Sequence, residues 1–194
     1  MAGIYQLLIE LEGSEPAIWR RVQVPESAGS FLELYDIIRV LLDWPFTEEY
    51  VFQIKDVQVF DLAEAIYLGG DSSKRDCSDT FLDDFIGNDH TPFTFYYYHS
   101  EEWKITLTAE KVLSNTQELT YPVCIEGEGT GPPVECAGIE DYKELLAGLR
   151  DPDHPRHKDA HDMLGKNWDP HFFHKNSTNH GLMYYAQQWG EIRR

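Results

Sequence analysis

Positive charge is what this chain lacks most. Sixteen lysines and arginines stand against 34 aspartates and glutamates, a formal net charge of −18 over 194 residues. The deficit is uneven: residues 1–150 hold 28 acids and 10 bases, whereas residues 151–194 hold six of each. Such a field repels phosphate backbones and anionic lipid, so direct nucleic-acid binding and membrane-surface binding are not expected, and a basic protein partner fits better. A solvated surface that serves solubility accounts for the same charge. Cysteine is scarce too. Cys77, Cys124 and Cys136 are an odd and sparse set, unlike the even framework of a small secreted domain. No apolar run approaches the ~18 residues that a membrane span needs. The start, MAGIYQLLIELEG, has no basic stretch and carries a glutamate among its apolar residues, unlike a secretory leader. These absences lead to the expectation of a soluble, cytoplasmic protein. Internal repeats and a Pro/Ser linker are also missing, so residues 1–170 are expected to form one domain, with residues 171–194 as a helical C-terminal extension packed on it.

What is present is enough apolar mass for a core, 42% hydrophobic and 13% aromatic. Ile4–Glu12 alternates apolar and polar as a half-buried strand does, Gly13-Ser14-Glu15-Pro16 has turn chemistry, and Ile18–Val24 reads as the second strand of a hairpin. Ser30 with Glu33 makes a capping box for a helix whose apolar face is Phe31, Leu34, Ile38, Leu41 and Leu42, ended by Pro45. Glu49–Phe60 alternates again and reads as a strand or a second hairpin. Strand, strand, helix, strand is the opening of a β-grasp-like layout, so the fold class expected is α+β, with a mixed or antiparallel sheet and a helical C-terminal part. Residues 61–91 read as a polar loop with short helical pieces such as TFLDDFI. Phe93–Leu107 reads as a hairpin turning near His99–Glu102, and Tyr121–Ile125 as a short strand. Helices are expected over Ile139–Leu149, from His154-Pro155 to Leu164 before Gly165, and over the tail HGLMYYAQQWGEIRR.

The stretch YPVCIEGEGTGPPVECAG (Tyr121–Gly138) concentrates the chemical alternatives. Its G-x-G-x-G (Gly127, Gly129, Gly131) precedes Pro132-Pro133 rather than a helix, and Glu126 and Glu128 stand where a phosphate would sit, so a nucleotide cradle is not expected. Cys124 and Cys136 lack the close C-x-x-C spacing of a zinc knuckle. A disulfide between them is conceivable, though a reducing cytosol opposes it. A structural zinc or other divalent transition metal would recruit ligands from HPRHKDAH, where His154, His157 and His161 stand at i, i+3, i+7. A solvated helix face is the favoured reading of the same three. The aromatic strand FTFYYYH sends Phe93, Phe95 and Tyr97 to one face, expected in the core, leaving Tyr96 and Tyr98, with His99 and Trp103, as an interaction surface. No nucleophile elbow, catalytic Cys/His signature or H-E-x-x-H is present, and paired acids such as Asp83-Asp84 carry little information on so acidic a chain.

In order along the chain, YQLLIELEGSEPAIWRRVQVP, the helix ending in LLDW, the hairpin ending in EEWKITL, YPVCIEGEGTGPPVECAG and DYKELLAGLRDPDHPRH with WDPHFF resemble the plasmid pRiA4b ORF-3-like family over most of residues 4 to 170. The resemblance implies a soluble α+β protein associated with bacterial or archaeal plasmids and mobile elements, and it implies no reaction. Two departures stand out. Ser100-Glu101-Glu102-Trp103 replaces the family's Gly-Asp-x-Trp turn, and Gly131 stands where the resemblance expects a third cysteine. Three readings remain. The first is a non-enzymatic acidic module that binds a protein partner and needs no cofactor. The second is a metal-binding or metal-dependent protein using His154, His157 and His161 with Cys124 or Cys136. The weakest is an acidic DNA mimic. The glycine- and proline-rich stretch reads as a rigid connector with packed cysteines.

Overall fold

The structure is a computed structural model, and it describes residues 3–47, 49–61, 73–86, 92–99, 101–115 and 119–192, the last four by backbone only. Its frame is one mixed eight-stranded sheet in the order β5-β4-β3-β6-β7-β1-β2-β8, with α-helices after β2 and after β8. The strands are β1 (Gly3–Leu11), β2 (Trp19–Pro25), β3 (Tyr50–Ile54), β4 (Val57–Phe60), β5 (Lys74–Asp76), β6 (Phe93–Tyr98), β7 (Glu102–Ser114) and β8 (Val123–Glu128). The helices are α1 (Phe31–Leu42), α2 (Gly138–Arg150), α3 (His157–Leu164) and α4 (Lys175–Ile192). The α+β class is as the sequence implies. The β-grasp-like opening is not what the sheet shows. Two strands, β6 and β7, lie between β3 and β1, β3 pairs with β4 and β6, and β7 runs antiparallel to β1.

Alternation makes the sheet two-faced. Leu7, Ile9, Phe95, Tyr97, Ile105 and Leu107 are at most 1% exposed and point to one side. Helix α1 lies on that side because its apolar stripe matches: Phe31 meets Phe52 edge-on at 5.0 Å, and Tyr35 stacks on Tyr50 at 3.9 Å. Fully burying such a ring contributes about 1.5–3 kcal/mol. The capping box forms as read, with the Ser30 hydroxyl accepting from Glu33 N at 3.2 Å and the Glu33 carboxylate accepting from Ser30 N at 3.0 Å. The helix ends at Asp43, which takes a left-handed φ of 58°.

Four details depart from the sequence reading. Residues 74–76, read as loop, form β5, which pairs in parallel with β4 through its backbone. The hairpin strand expected to end at Leu107 runs on to Ser114 as β7, whereas Glu49–Phe60 takes the second of its two readings, a hairpin of β3 and β4 around Lys55, at a φ of 52°. The third helix begins at His157 rather than His154, because the Asp151 carboxylate accepts from Asp153 N at 2.9 Å and the His154 ring accepts from Arg156 N at 3.2 Å, turning the chain before the helix starts. Lastly, the short strand read at Tyr121–Ile125 runs Val123–Glu128 as β8, so residues 129–137 alone of the glycine- and proline-rich stretch form a connector, joining that strand to α2.

Helix α4 packs on both α1 and β8. Its Asn179 amide bonds both backbone groups of Cys124: the side-chain oxygen accepts from Cys124 N at 2.7 Å, and the side-chain nitrogen donates to Cys124 O at 2.9 Å. A strand's free edge is a template for further pairing, and here a helix side chain occupies part of it. Among the described residues no helix is long and apolar enough to cross a membrane.

Candidate functional site

The histidine segment does not assemble as a shared ligand set. His157 and His161 lie on α3 with their rings edge to face, 4.4 Å between centroids, and His157 Nδ1 is 2.8 Å from the Gly148 carbonyl oxygen. His154 lies before the helix, its Nδ1 engaged by Arg156 N and its Nε2 3.6 Å from a Glu144 oxygen. His161 Nδ1 is buried with no hydrogen-bond partner. Among the described residues, no three His, Cys, Asp or Glu side chains come close enough together to hold a metal ion.

The cysteines are free and buried. Cys124 lies on β8 and its thiol donates to Glu126 O at 3.3 Å, whereas Cys136 lies against the Met163 sulfur at 3.6 Å. Burial pushes the thiols of Cys77 and Cys124 up to about 11 and that of Cys136 up to about 12. They pack as small core hydrophobes, and burial keeps the reactive thiolate form scarce at neutral pH.

The surface expected around the aromatic hairpin is corrected at one residue. Trp103 is 1% exposed and packs against Trp44 at 5.4 Å, because its cross-strand partner is Tyr97, a core residue, and paired residues share a face. Tyr96 and Tyr98 do point to the opposite face, half-buried, and His99 is exposed at the turn. That opposite face is polar. Arg21 donates to both Glu110 oxygens and to Glu126, the Trp19 indole donates to Glu128 at 3.4 Å, and Lys104 pairs with Glu12 at 2.8 Å. Glu110 reaches Arg21 through a bulge: Gln6 pairs with Lys111 but Leu7 pairs with Ala109. The hydrogen bond from Arg21 holds the Glu110 carboxyl below the usual carboxylate range.

Sequence reasoning missed a cleft of about 460 Å³ between the end of α1, the Thr130–Gly131 loop and α4. Its walls include two arginines. Arg20 is 3% exposed and gives every bond to a neutral carbonyl: Nε to Leu41 at 3.0 Å, Nη1 to Trp19 at 2.8 Å and Glu128 at 2.6 Å, Nη2 to Gly129 at 2.7 Å. Burial lowers its pKa to about 10. Its guanidinium lies 4.0 Å over the Phe173 ring. Gly127 makes the room, since a Cβ there would come within 2.8 Å of Arg20 Cδ and 2.9 Å of Phe173. Arg39 bonds Asp36 at 2.7 Å and lies 5.7 Å from the Tyr185 ring, but its Nε is buried without an acceptor. The pattern of G-x-G-x-G was visible in sequence. That it admits an arginine rather than a phosphate was not.

Residues 3–177 match the family described as Plasmid pRiA4b ORF-3-like protein. "Uncharacterized protein y4hQ" of Sinorhizobium fredii is 25% identical over 165 residues, which cover 85% of this chain and 82% of that protein. The crystal structure of MM3350 from Methanosarcina mazei Go1, described as a protein of unknown function, is similar with a TM-score of 0.79 and 25% identity over 91% of this chain and 97% of that one. With sequence and fold in agreement over nearly the whole length, the chain belongs to the plasmid pRiA4b ORF-3-like family.

Proposed function

We propose that the chain is a non-enzymatic binding module whose polar sheet face receives a basic segment of a protein partner. The observation that supports this is the charge on that face. Glu10, Glu12, Glu102, Glu110, Glu126 and Glu128 share it with Arg21 and Lys104, and the half-buried rings of Trp19, Tyr96 and Tyr98 lie among them. Carboxylates beside aromatic rings suit lysine and arginine side chains, which take ion pairs and cation–π contacts together. Metal binding at His154, His157 and His161 has less support, because His154 Nδ1 and His157 Nδ1 already have backbone hydrogen-bond partners and no three ligating side chains come together among the described residues.

An arginine-rich peptide tests the reading. Its affinity should fall steeply as salt rises from ~0.05 to ~0.5 M, as exposed charge pairs are screened. Any acidic protein would pass that step, so location decides. Removing three face charges (E10Q, E102Q, E128Q) should weaken binding about tenfold or more. Removing three exposed charges elsewhere (E15Q, E144Q, D153N) should change it little. Equal losses in the two sets would refute the assignment.

A further inference from the structure

We propose that the cleft between α1 and α4 binds a small molecule carrying an oxyanion, a phosphate monoester or a carboxylate, attached to an aromatic or apolar body. This is a different surface from the sheet face, and the inference is independent of that reading. The cleft's volume, about 460 Å³, falls within the ~300–1,000 Å³ of small-molecule sites. Its walls are short of negative charge in a chain that is otherwise full of it. Asp43 is the one acid on the described lining, with Arg20, Arg39, His174 and His180 around it.

Three positive features converge there. Arg39 has a side chain only 8% exposed, spends one nitrogen on Asp36 and leaves its Nε donor without an acceptor. A desolvated donor in that state favours any acceptor brought to its guanidinium. Arg20 is buried with only neutral carbonyls as partners, and no carboxylate among the described residues forms an ion pair with it. The third feature is the start of α4, an 18-residue helix whose first turn places Ser177 and Thr178 on the lining. A helix N-terminus carries about half a positive charge, directed along its axis. His174 already accepts from Ser177 N at 3.1 Å, fixing the geometry of that turn. Trp44, Phe172 and Tyr185 supply the apolar and aromatic surface for the rest of the ligand. The overall charge of −18 does not forbid this, because residues 151–194 are neutral in sum and distant exposed charges are screened beyond ~8 Å at physiological salt.

Calorimetric titration of the full chain with phenyl phosphate and, separately, with benzoate tests the proposal. Saturable binding of at least one probe is expected, and the tighter of the two distinguishes phosphate monoester from carboxylate. R39M should weaken it about tenfold or more. S177D is the decisive variant should R39M fail to fold: an aspartate in the first turn of a helix leaves the fold intact or steadier, yet it puts a negative charge on the cleft wall, and binding should again drop about tenfold. No saturable binding of either probe up to about 10 mM, or S177D binding as tightly as the parent chain, would overturn the proposal.

Discussion

Replacing Gly131 by alanine should be among the most costly single-methyl additions in this protein. A Cβ at that position would stand 2.1 Å from the Leu42 carbonyl oxygen, a backbone atom at the end of α1. A relaxed carbon–oxygen contact needs about 3.3 Å, so loop and helix must part by more than ~1 Å. Neither is free to move. The Trp44 indole donates to Pro132 O at 2.8 Å, one residue beyond the glycine, and Arg20 ties Leu41 O to Gly129 O. Stretching a neutral bond of this kind costs about 1 kcal/mol and one from a charged donor about 1.5–3 kcal/mol. The expected loss is therefore about 2–4 kcal/mol, at or above the upper part of the range for overpacking. With a urea slope of about 2 kcal/mol/M, the unfolding midpoint should drop by about 1–2 M. Gly3→Ala is the control, since its Cβ would meet nothing closer than 3.6 Å; it should stay within about 0.5 kcal/mol. A G131A midpoint equal to that of the parent would refute the reasoning, and with it the rigidity assigned to this loop. The position is also where the family resemblance expects a cysteine, so G131C should fare no better.

The buried groups give two further outcomes. With thiols raised to about 11 or 12 by burial, Cys77, Cys124 and Cys136 should react with an aromatic disulfide reagent at pH 8 at least about 100-fold more slowly in the folded protein than in urea; a fast phase in the native state would contradict their placement. Glu110 is held low by its hydrogen bond from Arg21, so its contribution to stability is present above the unfolded carboxylate value near ~4.3 and lost as pH falls through the lower folded value. E110Q should thus be less stable than the parent at neutral pH and converge on it in acid, as chemical denaturation at a series of pH values would reveal; a gap that is constant with pH would argue against the linkage.

Much of the fold is legible because it is written in short-range periods. The period-two pattern of FTFYYY sets Phe93, Phe95 and Tyr97 inward, and Ser30 with Glu33 marks the start of α1. What escapes is whatever depends on distant partners. Lys74–Asp76 has no apolar pattern and becomes a strand through its backbone pairing with β4. Trp103 faces inward because its side is fixed across the turn by pairing with Tyr97, which no period within its own strand announces. The place of β3 in the sheet depends on β6 and β7, which come later in the chain. Arg20, Arg39, Gly131 and Tyr185 form one cleft from four separate segments, so no local motif announces it. Exposed acids and histidines, by contrast, are conspicuous in sequence and say little about geometry.

The double bond from Asn179 to the Cys124 backbone makes the last helix a guard rail on the sheet. A ladder of hydrogen bonds that stops at an outer strand invites a second molecule to extend it. Trimming the chain before Lys175 would strip that cover from β8 and leave an adhesive margin along it, so the truncated protein should self-associate more strongly than the whole one at the same concentration.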